Sequence, residues 1–285
     1  MDFKTEKRYT TAENQTIVAD VWGQSTNKSV IFAHGGGQTR HAWKNTASIF
    51  ADAGWQSITV DLRGHGDSDW AADGDYSMEK FAEDLIYVAS QCEQPPAIVG
   101  ASLGGLSALV AQRLSDNKAF SAVVLVDIVP NMKPNGAQKI LAFMGDNLEE
   151  GFATLEEASE SIAAYLPHRP KPKSLDGLRK NLRLGEDGRY RWHWDPKFIL
   201  GKTSDRPSSD VEHRRKMVDS AKNLTVPTLL VRGQMSELVS EQQAEEFLEM
   251  VPHAKYVNVE KAHHMVAGDK NDIFTSAVVE FLSNL

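Results

Sequence analysis

One cysteine, Cys92, stands in 285 residues. An intrachain disulfide needs two and a cysteine metal cluster needs more, so both are excluded. Cys92 reads as a small buried apolar residue on a helix. Long apolar runs are missing too: nothing approaches the ~20 residues of a membrane-spanning helix, and no membrane association is expected. The opening stretch MDFKTEKRYTTAENQT has no apolar h-region, which speaks against a secretory signal and makes a cytoplasmic location the expectation. An excess of basic charge is lacking. The formal net charge is −8, and a phosphate backbone needs a basic face, so nucleic acid is not an expected partner. There is no phosphate-cradling Gly-Lys-Ser/Thr loop. The histidines are scattered, without the spacing of a zinc site, and neither a metal nor a cofactor is expected. Internal repeats and low-complexity tracts are also missing.

What is present is an ordinary globular composition, 41% hydrophobic and 25% charged. A chain of this length buries a sizeable core without staples. Residues 4–10 and 15–22 read as two short strands around Glu13-Asn14. SVIFAHGGG is a buried strand ending in glycines. A helix over 42–53 follows, with Trp43, Ala47, Phe50 and Ala51 on one face and Gly54 as its stop. GWQSITVDLRGHGDS is a strand breaking into a Gly-rich loop. A helix over 77–91 places Phe81, Leu85 and Val88 at helical spacing. The strand before Ser102, its helix, and the apolar strand SAVVLVDIVP continue the alternation. Strands apolar on both faces, alternating with helices, predict a mostly parallel sheet covered on both sides.

The alternation stops at Pro130. Residues 130–224 are polar, Pro-interrupted at PHRPKPKS, and read as helical with no strands. A stretch this long is not a loop; it is expected to be a helical cap (lid) over the carboxyl ends of the strands, where open α/β sheets bind ligands. The sheet resumes at VPTLLVRG, with a helix over 240–250, the strand AKYVNVE and a final helix from about 271. That makes an eight-stranded core of residues 1–129 and 225–285.

The most specific signal is Gly100-Ala101-Ser102-Leu103-Gly104, a G-x-S-x-G between a strand and a helix. On such a turn the serine is held out from the backbone, and the glycines permit the close approach of strand and helix. A serine hydroxyl is a weak nucleophile until a base takes its proton. His264, in the loop after the last strand, is the candidate base, with His263 as its neighbour. The base needs a carboxylate to fix its tautomer. Asp127 closes the sixth strand and is the leading candidate; Glu237, after the seventh, is the alternative. Acyl transfer also needs donors for an oxyanion. The N–H of Leu103 and that of Gly36, in His34-Gly35-Gly36-Gly37, are the candidates. His34 reads as structural, and Arg63 and Asp67 as braces of the site.

HGGGQTRHAW, DLRGHGDS, GASLGG and HHMV, in that order, resemble the α/β-hydrolase superfamily over nearly the whole chain except the cap. DIVP followed by GQMSELVSEQ looks like its small bacterial esterases with a helical lid. That resemblance implies Asp127 as the acid, with Ser236 as a helper to His264. The serine departs from the aspartate that haloalkane dehalogenases and epoxide hydrolases of this fold use. The expected activity is hydrolysis of a small-molecule carboxylic ester or lactone through an acyl-enzyme on Ser102. Alternatives keep the same triad for C–C bond hydrolysis or perhydrolysis, or make the chain a small-molecule receptor. Trp192, Trp194 and Met132 are candidate substrate-binding residues, with Phe143 and Met144 beside them. The tryptophans equally suit packing that pins the cap to the core. Arg189 and Arg191 are candidates for an anionic substrate or for solvated charge. A monomer or homodimer is expected.

Overall fold

Ser-Val-Ile-Phe-Ala, Ala-Ile-Val-Gly-Ala and Ala-Val-Val-Leu-Val form strands that are buried almost throughout. Their side chains alternate between two cores. Ile31, Ile98, Val123 and Leu125 join one hydrophobic cluster, and Val30, Phe32, Val99, Val124 and Val126 the other. A period of two with both faces apolar is the mark of a sheet covered by helices on each side.

The computed structural model describes residues 4–25, 28–167, 174–201, 207–266 and 271–285. In chain order the strands are β1 (Lys4–Thr10), β2 (Thr16–Trp22), β3 (Ser29–Ala33), β4 (Gln56–Val60), β5 (Ala97–Ala101), β6 (Ala122–Val126), β7 (Leu182–Leu184), β8 (Tyr190–Trp192), β9 (Thr228–Gly233) and β10 (Lys255–Val259). The helices are α1 (Lys44–Asp52), α2 (Met78–Ser90), α3 (Leu103–Leu114), α4 (Pro134–Gly145), α5 (Leu155–Tyr165), α6 (Pro196–Leu200), α7 (Pro207–Lys222), α8 (Glu241–Met250) and α9 (Asn271–Ser283). Eight strands make one sheet in the order β1-β2-β4-β3-β5-β6-β9-β10. β2 pairs antiparallel with β1 and β4, and every other pairing is parallel. From β3 the chain steps to β4 on one side and then returns to β5 on the other. A crevice opens at such a reversal, outside the carboxyl ends of β3 and β5.

One expectation is corrected in the segment between β6 and β9. It is not strandless: β7 and β8 form an antiparallel hairpin, with Leu182 opposite Trp192 and Leu184 opposite Tyr190. Leu-Arg-Leu and Tyr-Arg-Trp alternate apolar and charged residues, which suits a strand better than a helix. Gly185-Glu186-Asp187-Gly188 closes the turn, with Gly188 at φ +76° and Gly185 N–H donating to Arg189 O at 2.8 Å. The other regular elements among the segment's described residues are helices, and α7 packs against α3 of the core. Most of the Pro-rich stretch read at 167–174 lies outside the described residues.

Candidate active site

Ser102 joins β5 to α3 at φ 46°, ψ −112°, a conformation costly for a non-glycine residue. The surrounding contacts over-determine it. Ser102 N–H donates to Val126 O on β6 at 3.3 Å, and Gly104 N–H to His34 O at 3.1 Å. A Cβ on Gly100 would lie 2.6 Å from the Gly104 backbone, and one on Gly104 would lie 2.4 Å from Ala33 O. No side chain fits at either place, so glycine is dictated by contact.

Asp127 follows β6 at φ 50° and is fully buried. A buried carboxylate is costly unless hydrogen-bonded, and this one is fully engaged. Oδ1 accepts from Gly233 N–H at 2.9 Å. Oδ2 accepts from Ser236 Oγ at 2.6 Å and from His264 Nδ1 at 2.7 Å. Ser236 Oγ in turn accepts from Leu238 N–H at 3.1 Å and Val239 N–H at 3.0 Å, which fixes its own proton on Asp127. With Nδ1 of His264 donating to Asp127, a neutral ring keeps its lone pair on Nε2.

Ser102 and His264 line one cavity of about 500 Å³. Gly35, Gly36 and Gly37 form part of its floor. Gly35 N–H donates to Gln38 Oε1 at 3.0 Å and Gly37 N–H to His65 Nε2 at 3.1 Å, so Gly36 N–H sits between two committed amides. Leu103 opens α3, where backbone N–H groups have no intrahelical acceptor. The opposite wall comes from the β6–β9 segment: Ile140, Phe143, Met144, Ile162, Tyr165, Trp192 and Trp194. Trp192 and Trp194 stack at 4.8 Å between ring centres, and Phe143 and Tyr165 at 4.1 Å.

The structure therefore brings Ser102, His264, Asp127, Ser236, Gly36, Leu103, Trp192 and Trp194 to one place. Four of the residues singled out in the sequence stand apart. Met132 is not on the cavity wall; it packs on the core, because Gln243 Nε2 holds Asn131 O and Lys133 N–H donates to Leu238 O at 2.9 Å. Glu237 is exposed, and its charge faces Tyr165, whose hydroxyl is pushed up to about 12 by burial and then by Glu237. Arg189 and Arg191 also lie off the cavity, bound to carbonyls of Glu149, Glu150 and Gly151, with Arg191 forked on Asp187.

A polar lattice under the glycine loop was only partly visible in the sequence. His34 donates from Nδ1 to Gly35 O at 2.8 Å and accepts Leu62 N–H on Nε2 at 3.0 Å. Both contacts need a neutral ring, and burial pushes its pKa down to about 4. Arg63 forks onto Asp84 at 2.6 and 2.8 Å. Asp67 accepts from the buried Arg40, which also meets Asp61, Asp20 and Glu6. His193 and Asp195 reach this lattice from the β6–β9 segment. Gly66 N–H donates to His193 Nδ1 at 2.7 Å, Asp195 N–H to Gly64 O at 2.9 Å, and Tyr76 OH to Asp195 Oδ2 at 2.6 Å. The available signal for His193 was its place between two tryptophans that face elsewhere.

A family model described as the alpha/beta hydrolase fold matches residues 28–270. The chain belongs to the α/β-hydrolase family. This hydrolase is 30% identical over 256 residues to an esterase of Mycobacterium tuberculosis, across 87% of this chain and 80% of that protein. A solved structure of the same esterase superposes with a TM-score of 0.75 at 26% identity, covering 98% of the hydrolase and 92% of that chain. A 3-hydroxybutyrate-oligomer hydrolase of Cupriavidus necator is 24% identical over 253 residues, 85% of each chain. Among the described residues of the hydrolase, no helix is long and apolar enough to cross a membrane. Nor does any group of three or more His, Cys, Asp or Glu among them form a metal-holding cluster.

Proposed function

We propose that this enzyme hydrolyses small carboxylic esters or lactones through an acyl-enzyme on Ser102. The observation that supports it best is the 2.7 Å contact between His264 Nδ1 and the fully buried Asp127, on the cavity that Ser102 also lines. Ser102 Oγ attacks the carbonyl carbon while His264 Nε2 takes its proton. Asp127 stabilises the imidazolium without taking a proton itself. Leu103 N–H and Gly36 N–H stabilise the negative oxygen of the tetrahedral intermediate. Collapse breaks the ester C–O bond, and His264 returns the proton to the leaving alkoxide. Water then gives a proton to His264 and attacks the acyl carbon, and collapse breaks the bond to Ser102 Oγ as His264 returns that proton to it, which frees the acid and Ser102. In a lactone the alcohol stays tethered to the acyl group.

Residues 130–224 act as the cap and residues 1–129 and 225–285 as the catalytic core. The stacked indoles of Trp192 and Trp194 supply an apolar wall for the substrate. The test is steady-state turnover of p-nitrophenyl esters from acetyl to octanoyl. Ser102→Ala should lower kcat by on the order of 10⁶. Turnover that persists in the variant, or a wild-type enzyme inert to the whole series, would overturn the reading.

A further inference from the structure

The segment Trp192-His193-Trp194-Asp195 divides its side chains between two jobs. Trp192 and Trp194 stack on each other and line the cavity. The His193 ring turns the other way and accepts from Gly66 N–H, while Asp195 bonds Gly64 O through its backbone N–H and Tyr76 OH through its carboxylate. His193 is 2% exposed, and its ring also meets the glycine loop, with Nε2 donating to Gly37 O at 3.4 Å.

That last contact completes a pattern. Gly36 N–H, the oxyanion donor proposed above, belongs to the peptide plane whose carbonyl is Gly35 O, and His34 Nδ1 holds that carbonyl at 2.8 Å. The next plane, Gly36–Gly37, is held by Gly37 N–H donating to His65 Nε2 at 3.1 Å. The third, Gly37–Gln38, is held by His193 at Gly37 O. Three consecutive peptide planes are thus each oriented by one histidine. The rings run side by side, His34 to His65 at 5.2 Å and His65 to His193 at 5.8 Å between centres. Each ring uses one nitrogen as donor and the other as acceptor, a role only neutral imidazole can fill. His65 donates from Nδ1 to Arg63 O at 3.0 Å, which leaves Nε2 to accept. Gly37 has φ +75°, and a Cβ there would crowd Met144 Cε at 3.2 Å and Trp194 Cζ3 at 3.3 Å. Inside the loop Gln38 N–H donates to Gly35 O at 3.1 Å and Gly35 N–H to Gln38 Oε1 at 3.0 Å, and the ladder adds the outside contacts that orient the three planes.

We infer that His193 is a positioning residue. It is the rung supplied by the cap, and through Gly37 it sets the aim of the Gly36 amide, so that the oxyanion site is complete only with the cap docked. The inference rests on the reading that Ser102 attacks an acyl carbon facing Gly36.

Three substitutions and two readouts test it. His193→Gln keeps an N–H that can reach Gly37 O. His193→Asn reaches only to the Nδ1 position, so its amide oxygen can accept from Gly66 N–H but its NH2 falls short of Gly37 O. His193→Leu keeps neither. Because a misdirected group in an active site costs on the order of 10²-fold, His193→Leu should lower kcat on p-nitrophenyl butyrate by roughly 10- to 100-fold. Its KM should stay within about threefold, since the donor acts mainly on the transition state. The rate of phosphorylation of Ser102 by diethyl p-nitrophenyl phosphate should fall in parallel, and His193→Gln should recover most of both. If His193→Leu does not fold, the order of Gln above Asn in kcat decides. Unchanged kcat in a variant that only melts earlier, a loss confined to KM, or Gln no better than Asn and Leu would each overturn the inference. A wild-type enzyme that neither turns over esters nor is phosphorylated at Ser102 would instead overturn the reading beneath it.

Discussion

At Asp127 three donors converge on one buried carboxylate, and their geometry separates two residues that sequence position alone left competing. Asp127 contacts His264 directly, whereas Glu237 is exposed, its charge instead helping burial to raise the Tyr165 hydroxyl. Asp127→Asn should lower kcat by on the order of 10⁴, as loss of the orienting carboxylate does in serine proteases, while Glu237→Gln should stay within about threefold of wild type in the same ester assay. The reverse ranking would move the acid to Glu237. Ser236→Ala removes a 2.6 Å donor from Asp127 and leaves Leu238 N–H and Val239 N–H without their acceptor. A drop in kcat of about tenfold is expected, because hydrogen bonds to charged groups contribute roughly 1.5–3 kcal/mol; an unchanged kcat would show that Ser236 does not hold the acid. Ser102 and His264, the proposed nucleophile and base, were legible as candidates in the sequence because each follows a strand in a short, distinctive loop. His65 and His193 were not, because their role depends on backbone groups of the glycine and 61–68 loops, 28 and 127–156 positions away along the chain.

Among the elements, the turn at Ser102 shows why a short motif carried so much information. Its glycines are fixed by contact, so their positions in the sequence report the three-dimensional crossing of β5 and α3. Gly104→Ala would force a Cβ to 2.4 Å from Ala33 O, whereas Gly145→Ala meets only ordinary contact, with Ile199 Cγ2 at 3.7 Å. The first should lower Tm by about 5 °C or more, given overpacking costs of ~1–3 kcal/mol or above. The second should leave Tm unchanged or raise it, as measured by differential scanning fluorimetry. Equal Tm values for the two would contradict the contact argument. The strands of the large sheet were legible from their period and doubly apolar faces. The β7–β8 hairpin was not, because three-residue strands give too short a pattern to stand out from a polar, helical segment.

Across the whole molecule, the sheet presents its loops at one edge and the segment between β6 and β9 closes over them. Buried polar groups of the 61–68 loop and the β6–β9 segment join apolar contacts such as Phe198 on Phe81 in holding the two together, and the polar part is sensitive to acid. His34 is held near pKa 4 in the folded state against about 6.5 unfolded, and His193 is shifted in the same direction by burial, then by His65 and His34. A lowered base pKa means the unfolded chain binds more protons, so stability is full above pH 6.5 and is lost as pH falls toward 4. For His34 alone this amounts to about 3 kcal/mol. Tm should fall steadily between pH 6.5 and 4.5, and the NMR signals of the His34 ring should remain those of neutral imidazole at pH 5. A titration of His34 near 6.5 in the folded protein would refute this. The segment between β6 and β9 was legible as a break in strand–helix alternation. Phe143, Met144, Trp192 and Trp194 were legible as candidates for the cavity wall; the bonds of His193 and Asp195 to the 61–68 loop were not, because they join residues far apart in sequence.

The central claim is that Ser102 becomes acylated. Its most direct test is intact-protein and peptide mass spectrometry of the enzyme quenched during turnover of a p-nitrophenyl ester, with Asp127→Asn used to slow deacylation. One acyl group on the peptide containing Ser102, missing in Ser102→Ala, is the predicted result. Continued turnover with Ser102 unmodified, or an acyl group on another residue whose removal stops the reaction, would contradict it.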